Sequence, residues 1–325
     1  MVKEILTDLY KIDIPLPMNP LKTLNSYVIK APERNLIIDT GWNQEECLNA
    51  MQAGLRELGV DIRKTDLFIT HLHADHLGLA PFLASETSTI YFNQPDADRI
   101  RSGTLWDDLL NFTRLNGFPE SKLKGAIDSH PGFKFGLKKE VPFHILRDGD
   151  RINIGDKEFW CVETPGHTRG HMCLYEPRTK IFLAGDHLLN DISPTIQSWS
   201  DDWDPLEEYL KSLDKVYQFD IELVLPGHRS IINHYKERIQ ELKSHHQKRL
   251  EEIISILGKG SQDAYQIASQ MTWDIMYDSW ELFPISQKWF GMGEAIAHLK
   301  YLVQKGTIQK KIENKKIMFS FNSSH

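Results

Sequence analysis

"FITHLHADHLG" (residues 68–78) decides how this chain is read. His71, His73, Asp75 and His76 fall within six consecutive positions behind an apolar run. Side chains of an extended segment alternate, so His71 and His73 point the same way. Asp75 and His76 stand where the chain turns into a helix and can reach a second position. Burying four such groups together without a cation is costly, and a solvated loop has no need of this spacing. The stretch therefore predicts metal ligands and asks for partners elsewhere.

Three distant places answer with the same pattern of apolar strand, small turn and metal-capable side chain. "FWCVETPG" leads to His167, "IFLAG" to Asp186 and "LVLPG" to His228. Strands that run into functional loops set those groups along one edge of a sheet scaffold. Seven side chains are thereby expected in one cleft. Neutral imidazole suits zinc and its first-row neighbours, and carboxylate adds charge and can bridge two ions. Asp186 is the natural bridge between ions roughly 3.5–4 Å apart. His144, His187, His245, His246 and His298 are read as packed or surface residues. His171 is read as a partner that orients a ligand or the attacking water.

The flanking chain supplies the scaffold. "LYKIDIP" and "LNSYVIKAPERNLIIDTG" read as strands with "APERN" between two of them. "NQEECLNAMQAGLRELGV" repeats Leu48, Met51, Leu55 and Leu58 at helical spacing and stops at Gly59. "DLFIT" is a buried-type strand, and "HLGLAPFLA" reads as one short helix. Residues 91–144 are helical in pattern and carry Trp106, Phe112 and Phe118, as expected of an insertion or lid. Strands return over 141–167, a hairpin turns at "EPRTK", and Asp204 with Pro205 opens a helix. From about residue 233, Ile239, Leu242, Leu250, Ile253, Ile254 and Leu257 mark one face of a long helix. Two further helices and the hairpin "TIQKKIENKKIMFSF" follow, which is the order of a winged-helix module. The expected division is 1–232, with the insertion at about 91–144, and 233–325.

Composition narrows the class. The 325 residues are 41% apolar and 26% charged, ordinary for a soluble globular protein. A net charge of −7 argues against a chain that coats nucleic acid. The N-terminal stretch carries charges, so no signal-peptide core and no membrane span is expected. Cys47, Cys161 and Cys173 are too widely spaced for a disulfide framework and read as small buried residues, which suits a cytoplasmic setting.

Taken in order, "HLHADH", "TPGHTRGH", "LAGDHLL" and "LPGH" resemble the metallo-β-lactamase superfamily of hydrolases, over roughly residues 5–230. The resemblance implies an α/β fold, an αββα sandwich with the metal site at one edge. It also implies that His71, His73 and His167 hold one ion, that Asp75, His76 and His228 hold the other, and that Asp186 bridges. Roughly residues 240–321 are similar to the C-terminal region of the β-lactamase-like protein 2 branch. Flavo-diiron relatives place a glutamate where this chain has His73, and acyl-homoserine lactonases place a tyrosine shortly after the bridging aspartate, where this chain reads "DHLLNDISP".

The expected cofactors are two divalent ions, Zn2+ first, with iron or manganese as alternatives. The ions would lower the pKa of a shared water, and Asp75 would orient the nucleophile or accept a proton as the catalytic general base. The expected substrate is a small acyl compound, a thioester before a lactone, as in glyoxalase II-like hydrolases. An endoribonuclease using Lys310, Lys311, Lys315 and Lys316 to touch RNA phosphates is the second reading. A DNA-binding metal sensor is the third, although "QKWFGMGEAIAHLKYLVQKG" looks more like a packing or homodimer surface than a groove reader.

Overall fold

The computed structural model describes every residue except 103, 104, 138, 140, 275, 276 and 323–325. Contacts gather the described residues into two units. One comprises 1–101, 131–194 and 212–239; the other comprises 102–130, 195–211 and 240–325.

The first unit is built on two mixed sheets. Strands β1 (Val2–Leu6), β2 (Leu9–Pro15), β3 (Thr23–Ile29), β4 (Asn35–Ile38), β5 (Thr65–Phe68), β6 (Ile90–Asn93) and β7 (His144–Leu146) lie side by side in chain order. Pairing is antiparallel up to β4 and parallel from β4 to β7. The second sheet runs β12–β11–β10–β9–β8, from β8 (Arg151–Ile154), β9 (Lys157–Glu163), β10 (Met172–Glu176), β11 (Ile181–Gly185) and β12 (Leu223–Pro226). Only the β11–β12 pair in it is parallel.

Alternation decides what fills the space between the sheets. Tyr27, Ile29, Leu36, Ile38 and Phe68 from the first sheet meet Phe159, Cys161, Met172, Leu174, Leu183 and Leu225 from the second. The other face of the first sheet, with Ile12, Ile14, Ile37 and Leu67, packs against α1 (Glu45–Glu57). On the outer face of the second sheet, Tyr175 and Phe182 meet Phe219, with ring centroids 5.0 and 6.2 Å away. Phe219 follows α8 (Pro205–Tyr217), which starts where Asp204 Oδ1 accepts from the amides of Leu206 and Glu207, as the cap reading expected.

Two local readings change. The buried face of α1 is Cys47, Met51, Gly54 and Leu55, while Leu48 is only partly buried. Gly54 explains the rotation, because a Cβ there would stand 2.8 Å from the Ile12 side chain. The single helix expected in "HLGLAPFLA" is two, α2 (Ala74–Leu77) and α3 (Ala80–Leu83). The 40–43 backbone reaches the break. Gly41 O accepts from Leu79 N, and a Cβ on Gly78 would lie 2.7 Å from Asn43 N.

The helical part of 91–144 is α4 (Gln94–Arg101), α5 (Leu105–Leu115), α6 (Glu120–Ser129) and α7 (Pro131–Phe135), while 91–93 belong to β6 and His144 opens β7. Helix α9 (Tyr235–Leu257) buries Ile239, Leu242, Leu250, Ile253 and Leu257 and leaves Ile254 half-buried.

In the second unit, α5 and α6 join α10 (Ala264–Ala268), α11 (Ile285–Gln304) and a small sheet in the order β13–β15–β14. Its strands are β13 (Gln262–Asp263), β14 (Ile308–Glu313) and β15 (Lys316–Phe321). Asp263 closes a capping box with Gln266. Trp289, 1% exposed, packs against Phe118 and Trp199, so α11 is a core helix of its unit. No helix among the described residues is long and apolar enough to cross a membrane.

Candidate metal centre

All seven expected ligands belong to the first unit and sit where its strands end. His71 and His73 follow β5, Asp75 and His76 ride on α2, and His167, Asp186 and His228 follow β9, β11 and β12. Three groups of donor atoms form, each within 4.8 Å: His71, His73 and His167; His71, His76 and Asp186; and Asp75, His76 and His228. His71, His76, Asp186 and His228 are buried, and the other three are half-buried.

Hydrogen bonds on the far side of three rings fix where their lone pairs point. Thr70 Oγ1 gives its hydrogen to Asp39 Oδ2 (2.8 Å) and so accepts from His71 Nδ1 (3.0 Å). His76 Nδ1 donates to Asp39 Oδ2 (2.7 Å), and His228 Nδ1 donates to the Thr23 carbonyl (2.8 Å). Each neutral ring therefore turns an Nε2 lone pair into the cleft. For His76 and His228, those lone pairs meet carboxylate oxygens. His228 Nε2 faces Asp75 Oδ2 at 3.3 Å and Asp186 Oδ1 at 3.6 Å, and His76 Nε2 faces Asp186 Oδ1 at 3.5 Å. His71 Nε2 and His167 Nε2 converge on His73 Nδ1 at 3.0 and 2.9 Å.

Acceptor facing acceptor is repulsive unless a proton or a cation lies between. His76 Nε2, His228 Nε2 and Asp186 Oδ1 are buried with no hydrogen-bond partner among the described residues. The donor set thus fits a metal site of imidazole and carboxylate ligands. Asp186 spans the groups, with Oδ1 toward His76 and His228 and Oδ2 3.6 Å from His167 Nε2.

The proton affinities follow from the same crowding. Burial, then the neighbouring imidazoles, holds His71 well below the usual histidine value and brings His73 down to about 3. Burial opposes charge on His76 too, but Asp39, Asp186 and Asp75 outweigh it and raise that ring well above its ordinary value. His228 is raised by Asp186 and Asp75 against burial. Burial works against the carboxylates, yet His76 and His228 hold Asp75 down to about 2 and Asp186 well below the usual range.

Supporting residues complete the cleft. Asn25 Nδ2 donates to the carbonyls of Pro226 and Arg229, and Tyr27 Oη donates to Pro226 O, which fixes the loop bearing His228. Position 227 must be glycine, since a Cβ there would lie 2.7 Å from Asp186 Oδ1 and 2.9 Å from His76 Cε1. His171 bonds the backbone that carries Asp186. Its Nε2 accepts from Asp186 N at 3.1 Å while its Nδ1 donates to Thr164 Oγ1 at 2.8 Å. Asp39, Asn25 and Asp96 are not singled out by the sequence reading. Asp39 closes "LIID", a strand-to-turn signal of the same kind that marks Asp186.

His144 is exposed at the start of β7, and His246 Nδ1 pairs with His298 Nε2 at 3.1 Å in the second unit. The three cysteines are buried thiols.

A family model described as "Metallo-beta-lactamase superfamily" matches residues 22–228, and one described as "Metallo-beta-lactamase-like, C-terminal domain" matches 250–322. The chain is 27% identical over 324 residues to "Probable metallo-hydrolase YqjP" of Bacillus subtilis, spanning 96% of this chain and 97% of that protein. It is 28% identical over 221 residues to an acyl-coenzyme A thioesterase of Homo sapiens, spanning 63% of this chain and 72% of that one. A metallo-beta-lactamase family protein of Thermus thermophilus has a crystal structure alike at TM-score 0.82 and 26% identity, covering 98% of this chain and 100% of that one.

Proposed function

Because the chain belongs to the metallo-β-lactamase superfamily, we propose that it is a dinuclear metal-dependent hydrolase acting on small acyl substrates, thioesters before lactones. The observation that carries the reading is the convergence of lone pairs at His71, His73 and His167 on one side and at Asp75, His76 and His228 on the other. Each set would hold one divalent ion, with Asp186 between them, and zinc is the first expectation for such donors. When bound, the ions would acidify water to near neutral pH and polarise the acceptor oxygen. Asp75, a carboxylate at neutral pH and partly open to solvent, is the group that orients the nucleophile or takes its proton.

The thioester preference rests on the similarity to the acyl-coenzyme A thioesterase, and the acidic net charge argues against a long polyanion. The ribonuclease reading needs cationic side chains on the β14–β15 hairpin. Lys310 already pairs with Asp201 (2.7 Å) and Lys316 with Asp263 (3.0 Å). We read the C-terminal region as winged-helix-like on the order helix, helix, helix, hairpin, and as a packing module rather than a DNA reader. The test is metal quantification of the purified protein alongside a panel of thioester, lactone, phosphodiester and RNA, with Asp186→Ala as the variant. Two ions and thioester turnover are expected, with both lowered in Asp186→Ala. One iron per chain with oxygen consumption would overturn the hydrolase reading. Steeply salt-dependent RNA binding would favour the ribonuclease.

A further inference from the structure

We propose that Asp96 is the positioning residue that holds His71, His73 and His167 together as one ligand set, separately from the set of Asp75, His76 and His228. The inference rests on the metal reading above. Asp96 is fully buried in α4, just after β6. Its Oδ2 accepts from Leu72 N at 3.0 Å and from Thr168 Oγ1 at 2.8 Å, and its Oδ1 accepts from Gly170 N at 2.9 Å. Leu72 stands between His71 and His73, and Thr168 follows His167. One carboxylate therefore ties the loop after β5 to the loop after β9, which belong to different sheets.

The surroundings are shaped for this clamp. Asn93 Oδ1 accepts from Asp96 N at 2.9 Å, and a Cβ on Gly170 would fall 1.6 Å from the same Oδ1. Any side chain at 170 would push the His167 loop off Asp96. The second ligand set has its own supports. His76 is held by Asp39 and His228 by Thr23 O, and Asp96 touches neither. A carboxylate can accept on both oxygens, whereas asparagine would put an N–H against one of the three donors. Groups that orient ligands typically change metal affinity about 10–100-fold when altered.

The test is a Co2+ titration of the full chain, followed by visible absorption, for the wild type, Asp96→Asn and Thr168→Val. Thermal melting of the metal-free forms runs alongside. A His73→Ala protein identifies which binding step belongs to the three-histidine set. In Asp96→Asn that step is expected to weaken about 10–100-fold with altered absorption bands, while the other step stays within about twofold. Thr168→Val, which removes one donor and keeps its shape, moves the same step in the same direction by less and keeps the proposal testable if Asp96→Asn does not fold. Equal weakening of both steps, or of neither, would overturn the clamp while leaving the dinuclear reading standing. A wild type that takes up fewer than two Co2+ ions would overturn the dinuclear reading and the clamp with it.

Discussion

An imidazole holds a cation only if the proton sits on its other nitrogen, and here neighbours decide that. Asp39 and Thr23 O occupy the Nδ1 side of His76 and His228, so Nε2 is left for the cleft. In the metal-free protein, Asp39, Asp75 and Asp186 keep these two rings raised above the ordinary value of 6.5. Stability from those raised groups is fully present below pH 6.5 and is lost as pH rises through their folded values. Cation uptake has to displace the same protons. Metal affinity is therefore expected to fall as pH is lowered below the raised values, and uptake near pH 7 is expected to release protons. Calorimetry in two buffers of different ionisation heat measures that release. Uptake with no proton exchange would mean that both rings are already neutral. The seven candidate ligands are legible in the sequence because four crowd into residues 71–76 behind a strand and the other three each follow an apolar strand and a small turn. Asp96 is not, because its role lies in contacts with residues 72, 168 and 170 that no local pattern announces.

At the level of elements, periodicity is a good guide where one face alone is buried. β2 spans the very residues of "LYKIDIP", and α8, α9 and the β14–β15 hairpin stand where their signals lie. The pattern misleads where a neighbour intervenes. "HLGLAPFLA" breaks because the 40–43 backbone docks at Gly78, and the buried face of α1 turns because Gly54 rests on Ile12. Two-residue β13 pairs with β15, from which α10, α11 and β14 separate it in the chain, and sequence offers no signal for so short a strand. Gly54 gives the sharpest element-scale test. Gly54→Ala gains about 1 kcal/mol of helix propensity. It also places a Cβ 2.8 Å from Ile12, which is 1% exposed and has little room to move. Overpacking of this kind costs about 1–3 kcal/mol. The net expectation is a loss of roughly 1 kcal/mol, read as a lower urea midpoint at unchanged slope. A stabilised variant would mean that α1 is not seated on β2 as described.

For the whole molecule, the grouping of segments is what sequence order hides. Residues 102–130 and 195–211 gather with 240–325, and nothing in their composition says so, because the contacts are long-range. The same is true of what joins the two sheets of the first unit. His71, His73, Asp75 and His76 extend from the first sheet, while His167, Asp186 and His228 extend from the second. Without a cation the sheets are drawn together by the core of Phe68, Phe159, Leu174 and their neighbours and by the bonds of Asn25 and Tyr27 to Pro226 O, while acceptors at this edge repel wherever no proton lies between them. A bound ion turns that repulsion into a cross-link, and it stabilises the folded state by mass action. At one hundred times the dissociation constant the gain is about 2.7 kcal/mol per ion. A unit of this size shifts its melting point by about 2–4 °C per kcal/mol. Chelation is therefore expected to lower the melting temperature by roughly 5–10 °C for each ion removed. Zn2+ should restore it in the wild type but not in Asp186→Ala, which lacks the shared carboxylate. A melting temperature indifferent to chelator and to added Zn2+ would mean that no cation joins the sheets.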